Sequence, residues 1–162
     1  MNKRGPSVST IMRTTHVRAV DVEERWFLYD ASDHILGRMA AKIAFQLIGK
    51  DRPTYTPSEP GATHVVVINA GAVRVTGNKD EAKTYKRYTG YPSGQRLIPI
   101  EKMREKNPIE IITLAVRRML PKNRLGHTML KSLKVYGGSD HPHSAQAPVL
   151  QASTTPKPAD NG

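Results

Sequence analysis

The stretch His64-Val65-Val66-Val67-Ile68-Asn69 decides the predicted fold, because four β-branched residues follow one another at its centre. A strand with one face in water alternates apolar and polar residues, whereas this run is apolar on both faces. Such a run is typical of a strand that is buried on both sides within a parallel sheet. The sequence therefore predicts a layered α/β domain built around this strand.

An aromatic strand and an amphipathic helix are predicted on the N-terminal side of this run. Trp26-Phe27-Leu28-Tyr29 has the length and composition of a strand, and Ala31-Ser32-Asp33 suits a loop with capping residues before a helix. Apolar residues then recur every three or four positions, which predicts a helix with one buried face that ends at Gly49. The residues of that face are Leu36, Met39, Ala40, Ile43, Ala44, Leu47 and Ile48.

Two further strands are predicted on the C-terminal side. A turn at Ala70-Gly71 leads to Val73-Arg74-Val75-Thr76, whose alternation predicts a more exposed strand. Residues 85–88 are predicted as a short strand before the turn Gly90-Tyr91-Pro92-Ser93-Gly94. Strands and helices thus interleave, which favours a mainly parallel sheet.

The last third of the chain predicts three helices and then a tail. Residues 99–106 suit a short helix, and Asn107 and Pro108 suit the cap and first position of the next, which Pro121 ends. Beyond Gly137-Gly138 the composition turns to Pro, Ser, Thr and Ala, which predicts an unfolded tail. The third helix is predicted from the apolar residues Leu125, Met129 and Leu133.

The positive charge is concentrated in one half of the chain. The 162 residues include 25 Lys and Arg against 14 Asp and Glu, a net charge of +11. Residues 71–136 hold fifteen of these cations and five acids, so +10 of the +11 lies there, and residues 111–139 contain no acid. Such a concentration predicts a surface that binds a polyanion, either nucleic acid or an anionic membrane.

Two basic segments stand out within that half. Four cations lie in Arg117-Arg118-Met119-Leu120-Pro121-Lys122-Asn123-Arg124, more than the capping of a helix C-terminus requires, which favours phosphate binding. The segment Tyr85-Lys86-Arg87-Tyr88-Thr89-Gly90-Tyr91 combines cations with aromatic rings, as in proteins that bind unpaired RNA bases. The alternative for this second segment is an ordinary strand with alternate tyrosines in the core.

The sequence offers no site for catalysis, a cofactor or a metal. Without cysteine there are no disulfides, thiolate zinc sites or cysteine nucleophiles, and no apolar run approaches the ~18 residues that span a bilayer. Glycine-rich nucleotide loops are missing, and His34, His64 and His127 are scattered. Asp140-His141-Pro142-His143 lacks a preorganised geometry for a metal. The sequence predicts a non-enzymatic RNA-binding protein, with an RNA-modifying α/β enzyme as the alternative.

Several motifs, in order along the chain, match one family. They are Trp26-Phe27-Leu28-Tyr29-Asp30-Ala31, Leu36-Gly37-Arg38, Gly49-Lys50-Asp51-Arg52-Pro53, Val75-Thr76-Gly77, Thr89-Gly90-Tyr91-Pro92, Met119-Leu120-Pro121-Lys122-Asn123-Arg124-Leu125-Gly126, Leu133-Lys134-Val135-Tyr136-Gly137 and His141-Pro142-His143. Through these residues the chain resembles bacterial large-subunit ribosomal protein thirteen over about residues 12–148. The Met-Leu-Pro-Lys-Asn block is the most specific of them.

The resemblance implies a three-layer α/β/α domain with a parallel, four-stranded central sheet at residues 25–148. The missing periodicity of the first residues and the composition of the last ones predict a flexible N-terminal arm at residues 1–24 and a flexible, disordered tail at residues 149–162 beside this domain. The implied partners are large-subunit rRNA and neighbouring ribosomal proteins, with early subunit assembly, a ribosome-bound location in the cytoplasm, and mRNA binding that represses translation. No membrane, small-molecule substrate or cofactor is implied.

The rRNA contacts that the resemblance implies by position are Arg38, Lys50, Arg52, Lys79, Lys86, Arg87, Tyr91, Arg117, Lys122, Asn123, Arg124, Lys131 and Lys134. Arg118 joins them from the basic segment. Two departures from the family affect these expectations. Ser93 stands where the family has glycine, which suits a turn only if that position does not need a positive φ. Members of the family usually begin with Met-Lys-Thr about fourteen residues before this tryptophan, and Met12-Arg13-Thr14 lies at that distance from Trp26. Residues 1–11 are therefore expected to be an extension.

Overall fold

Six strands and five α-helices make up the part of the chain that the computed structural model describes, residues 17–18 and 22–152. The strands are β1 (Arg25–Asp30), β2 (Thr63–Ile68), β3 (Thr84–Tyr88), β4 (Gln95–Pro99), β5 (Leu133–Val135) and β6 (Val149–Leu150). The helices are α1 (Leu36–Ile48), α2 (Lys79–Ala82), α3 (Ile100–Lys106), α4 (Pro108–Met119) and α5 (Arg124–Lys131). Short 3-10 helices span Ala70–Ala72 and Ser144–Gln146.

The four-stranded sheet has the order β5-β2-β1-β6, and each neighbouring pair is parallel. The β-branched run occupies the interior strand β2, where Val65, Val66 and Val67 are fully buried. A strand between two parallel neighbours has both faces covered, which is why its sequence does not alternate. The structure confirms the predicted α/β fold with a parallel, four-stranded sheet.

The two faces of this sheet are covered differently. Tyr29 and Val67 are paired in register and join the main core with α1 and α4. On the opposite face Trp26 stacks on His64, with ring centroids 4.4 Å apart, and His143 packs against the same Trp26 ring at 5.2 Å. The segment after β5 therefore packs against this second face.

Helix α1 follows its predicted pattern closely. All of the predicted apolar positions are buried except the half-buried Ile48, and Gly49 ends the helix in the left-handed conformation with φ +84°. The predicted capping residues before α1 are wrong, since its N-cap is Ile35, which offers no side-chain hydrogen bond. Ser32 instead donates to the carboxylate of Asp30, with its hydroxyl at 2.7 Å, and so stabilises the turn after β1.

The predicted strand at residues 73–76 is wrong. Arg74 forms only an isolated bridge with Ile35, and its carbonyl accepts a hydrogen bond of 2.8 Å from the N–H of Leu36. This segment therefore fastens the first turn of α1, and Gly77, with φ +66°, turns the chain away before a strand can extend.

Two predictions near the C-terminus are also wrong. Leu133 does not continue the short helix, because α5 ends at Lys131 and Leu133 begins β5 beside Val65. The chain beyond Gly138 is not an unfolded tail as far as residue 150, because Val149 and Leu150 pair with β1 as an edge strand of the sheet. Residues 1–16, 19–21 and 153–162, which include the predicted extension before Met12 and most of the predicted tails, lie outside the described residues.

Strands β3 and β4 form a separate antiparallel hairpin. The predicted strand at residues 85–88 is confirmed as β3, whereas β4 was not predicted. In the turn between them Ser93 has φ +61°, so this position does take the left-handed conformation that glycine adopts without strain. The predicted helices at residues 99–106 and from Pro108 are confirmed as α3 and α4, although the Asn107 side chain makes no capping hydrogen bond.

Candidate nucleic-acid interface

The most basic segment of the sequence folds into two helix ends joined by a tight loop. Arg117 and Arg118 lie in the last turn of α4, where Leu120 takes an extended conformation before Pro121. The side chain of Asn123 then caps α5 by accepting a hydrogen bond of 2.8 Å from the N–H of Gly126. Because a Cβ at Gly126 would collide with the carbonyl of Pro121, only glycine permits so close a return of the chain.

This arrangement leaves a cleft between α4 and α5, which we call the basic cleft. Its volume is about 370 Å³. Leu114, Leu120 and Leu130 contribute apolar surface to it. Its polar lining includes Arg117, Arg118, Lys122 and His127.

The cations of the basic cleft are free to bind an external anion. Arg117, Arg118, Lys122 and the adjoining Arg124 are exposed, and none forms an ion pair with another described residue. Arg117 and Arg118 lie at the helix end where positive charge is favourable, but Arg124 lies in the first turn of α5, where it is not. Helix stability therefore does not explain the position of Arg124.

The hairpin resolves the two interpretations of its tyrosines. Tyr85 is 4% exposed and belongs to the core, as the strand alternative predicted, whereas Tyr91 is 75% exposed at the turn. Tyr88, which was not among the predicted contacts, is 67% exposed. We call β3, β4 and their turn the tyrosine hairpin.

Charge on the tyrosine hairpin is unbalanced. Arg87 lies directly opposite Arg96, and both side chains are exposed. Like charges directly opposite each other destabilise an antiparallel pair, so this arrangement suits a bound anion better than it suits the isolated hairpin. Arg96 was missed because β4 has no periodicity that predicts a strand.

Arg52, implied as an rRNA contact, does not lie on the surface. It is 7% exposed, with Nη1 donating to the carbonyl of Glu23 at 2.7 Å and Nη2 to the hydroxyl of Thr63 at 3.2 Å. Burial lowers the pKa of Arg52, and the neighbouring Arg25 lowers it further. This side chain holds the start of β2 against the segment before β1, an internal role that does not favour contact with rRNA, and its assignment as an rRNA contact stays a prediction.

The other predicted residues are distributed over several elements. Arg38 lies in the first turn of α1, Lys50 follows the end of that helix, and Lys79 begins α2. The side-chain oxygen of Asn123 already accepts the hydrogen bond from the N–H of Gly126 that caps α5. Among the predicted contacts, the exposed cations outside the basic cleft are Arg38, Lys50, Lys79, Lys86, Arg87, Lys131 and Lys134.

The histidines of the His-Pro-His motif make contacts within the protein. The Nε2 atom of His143 lies 2.9 Å from the hydroxyl of Tyr136. His141 stacks on the ring of His143, with ring centroids 6.5 Å apart. Burial lowers the pKa of His64, which stacks on Trp26. Within residues 17–18 and 22–152 no group of three or more His, Asp or Glu side chains is arranged to hold a metal ion.

The helices are too short or too polar for a bilayer. Among the described residues, none combines the length and apolar composition that crossing a membrane requires.

Comparison with known proteins identifies the family. The model of the family described as "Ribosomal protein L13" matches residues 24–142. The chain is 47% identical to "Large ribosomal subunit protein uL13" of Chloroflexus aggregans over 137 residues, which cover 85% of the chain and 96% of that relative. Proteins of the same name from Thermotoga maritima and Acidithiobacillus ferrooxidans are 46% and 48% identical, again over 85% of the chain and over 93% and 96% of the relatives. The chain therefore belongs to the ribosomal protein L13 family, as its motifs predicted, and is a ribosomal protein rather than an enzyme.

Proposed function

We propose that this chain is a structural constituent of the large ribosomal subunit and binds large-subunit rRNA through the basic cleft and the tyrosine hairpin. The observation that carries the proposal is the cluster of Arg117, Arg118, Lys122 and Arg124, four exposed cations without an acidic partner among the described residues. The relatives named as large-subunit proteins support the choice of this RNA.

The basic cleft supplies sequence-independent affinity. Each phosphate that a Lys or Arg neutralises releases condensed counterions, so affinity rises without any base being read. Arginine can also hold a phosphate through two parallel hydrogen bonds, which fixes its orientation. Because Asn123 and Gly126 lock the loop between α4 and α5, the cations on either side of it are held in place before RNA binds.

The tyrosine hairpin supplies a preference for unpaired RNA. Base stacking on exposed aromatic rings contributes about 1–3 kcal/mol per base, and only bases outside a duplex offer a free face. Tyr88 and Tyr91 are exposed on the same hairpin as Lys86 and Arg87, so a base could stack while its phosphate is neutralised. We therefore propose that the hairpin contacts a loop or bulge of rRNA.

Further parts of the proposal rest on the family resemblance. They are contact with neighbouring ribosomal proteins, early entry into subunit assembly, a cytoplasmic location, and mRNA binding that represses translation through the same basic surface. The division into an arm at residues 1–24, a domain at residues 25–148 and a tail at residues 149–162 also stays a prediction, with Val149 and Leu150 transferred to the domain.

The proposal is tested by replacing Arg117, Lys122 and Arg124 together with alanine in a tagged chain and following it through a sucrose gradient. We expect the wild-type chain to sediment with the large subunit and the variant to shift toward free fractions. The matched control replaces Arg25, Lys102 and Lys106, exposed cations away from the cleft, which lowers the net charge equally from +11 to +8.

Circular dichroism separates loss of binding from loss of fold in both variants. If the cleft variant keeps its fold and still sediments fully with the large subunit, the basic cleft is not the rRNA-binding site. If the control variant is lost from the subunit to the same extent, net charge rather than the cleft determines incorporation.

A further inference from the structure

We infer that a second, smaller pocket, between the start of α1 and Tyr85, takes one unstacked nucleotide of the bound RNA. The pocket has a volume of about 210 Å³ and shares Arg118 with the basic cleft. This inference rests on the proposed RNA binding and adds a base-sized site to it.

The walls of the pocket suit an aromatic ring. Ile35, Leu36, Val75, Ala115 and Met119 contribute apolar side chains from three parts of the chain. Small-molecule sites usually have volumes of about 300–1,000 Å³, so this pocket fits one ring system rather than a larger ligand. A base that has left its stack exposes its ring to water, and it would regain apolar contacts in this pocket.

The same pocket carries positive charge. Lys79, Lys83 and Arg118 line it, and none of the described lining residues is acidic. The Nζ atom of Lys83 lies 5.3 Å, and the Cζ atom of Arg118 5.9 Å, from the centroid of the Tyr85 ring. Asp80, beside Lys79 in sequence, is paired with Arg104 at 3.1 Å. The three cations of the pocket are therefore available to a phosphate.

The start of α1 adds hydrogen-bond donors to one wall. No hydrogen bond with a described residue engages the N–H of Gly37 or of Arg38, and the first turn has neither an acidic residue nor a side-chain cap. Free N–H groups and the helix dipole both favour an anion at this end.

The lining residue Tyr85 also carries a polar group without a partner among the described residues. The hydroxyl of Tyr85 is buried, and no described residue forms a hydrogen bond with it. An unsatisfied buried hydroxyl costs about 1–3 kcal/mol. A ligand with an apolar ring and an attached phosphate suits the apolar walls, the three cations and the free N–H groups of the pocket, and a nucleotide is such a ligand.

The structure offers a pair of variants that isolates this pocket. Gly37 lines it, its φ is unstrained, and a Cβ added there meets nothing within 4 Å. Alanine and glutamine both favour a helix over glycine, so both variants should fold. Gly37→Gln places a long side chain at the pocket, whereas Gly37→Ala adds one methyl group and serves as the control.

The probes are a mixed-sequence hexaribonucleotide and an abasic ribose-phosphate chain of equal length, followed through amide NMR signals of the full chain. We expect the hexanucleotide to shift the amides of Arg38 and Ala115 in the wild type and in Gly37→Ala. In Gly37→Gln the affinity measured at these two amides should weaken by about tenfold or more. The abasic chain should leave Ala115 unmoved, because it has no base to enter the apolar part.

The outcomes separate this inference from the proposed function. If the hexanucleotide shifts residues of the basic cleft but not Arg38 and Ala115, or shifts these equally in Gly37→Gln, the nucleotide pocket is refuted and RNA binding stands. If the abasic chain shifts Ala115 as strongly, the pocket binds phosphate alone and the inference about a base is overturned. If neither probe binds anywhere on the chain, the proposed RNA binding fails as well.

Discussion

Replacing Arg96 with glutamate should stabilise the protein and weaken its binding to RNA. Arg96 faces Arg87 across the tyrosine hairpin, and like charges directly opposite destabilise a strand pair. A cross-strand charge pair contributes about 0.2–1 kcal/mol, toward the lower end for exposed side chains because water and salt screen them. Reversing one charge should therefore raise the free energy of unfolding by up to about 1 kcal/mol, or roughly 2–4 °C in Tm for a chain of this size.

The effect on RNA binding should have the opposite sign. A cation that neutralises one phosphate of single-stranded RNA contributes about 0.7 to the slope of log affinity against log salt. Between 50 and 200 mM salt, one lost contact therefore makes the fall in affinity roughly 2.6-fold smaller. Fluorescence anisotropy of a labelled hexaribonucleotide at several salt concentrations measures this slope, and thermal unfolding measures the stability.

Lys102→Glu is the matched control, because it changes the net charge equally on α3, where Glu101 and Glu105 already offset two of the three cations. It should leave the salt slope close to that of the wild type. A lower Tm for Arg96→Glu would refute the argument that the two arginines repel each other in the free protein. An unchanged slope would show that Arg96 does not neutralise a phosphate.

Three further predictions concern stability. Asn123→Ala removes the cap from the N–H of Gly126 and should lower the free energy of unfolding in urea by about 1 kcal/mol, whereas Asn123→Asp keeps an acceptor and should lose less; equal stability of the alanine variant and the wild type would contradict the cap. Arg52→Ala should lower the free energy of unfolding in urea by about 1.5–3 kcal/mol through its lost charged hydrogen bonds, and it should leave the RNA salt slope unchanged. Burial lowers the pKa of His64 from 6.5, so the unfolded chain takes up a proton first as the pH falls. The contribution of neutral His64 to the free energy of unfolding should therefore be fully present above about pH 6.5 and fall as the pH drops below that value. His64→Phe keeps a ring on Trp26, so its free energy of unfolding should fall less between pH 7 and pH 5.

The central elements could be predicted because their sequence pattern reflects burial directly. The apolar period of α1 and the β-branched run of β2 depend only on which faces of these elements meet the core. The edge strand β6 could not be predicted, since two apolar residues carry no period and its pairing depends on β1, more than a hundred residues earlier. Residues 73–76 show the reverse case, because their alternation is typical of a strand but their hydrogen bond is made to the start of α1.

Some features of the candidate site could likewise be predicted from the local sequence, whereas others depend on the tertiary structure. Composition and segment charge located the basic cleft, because cations without nearby acids remain exposed whatever the fold. The burial of Arg52, which the family resemblance implied as a contact, could not be predicted, because it depends on acceptors at Glu23 and Thr63 that only the tertiary structure brings to it. Arg96 was missed for a related reason, since its significance comes from the residue opposite it and not from its own neighbours in sequence.

The most specific block of the sequence, residues 119–126, therefore combines two kinds of residue. Leu120 and Gly126 are buried, Pro121 ends the helix, and Asn123 caps the next one, so these residues set the shape of the loop. Lys122 and Arg124 alternate with them and point no charge at any described carboxylate. A rigid loop loses little conformational entropy when it binds. We therefore expect the residues that shape the loop to raise the affinity of Lys122 and Arg124 for RNA, although they carry no charge themselves. Mutations of the two kinds of residue should therefore have different effects on RNA binding. Losing a cation should reduce the salt slope, whereas loosening the loop should weaken binding by the same factor at every salt concentration.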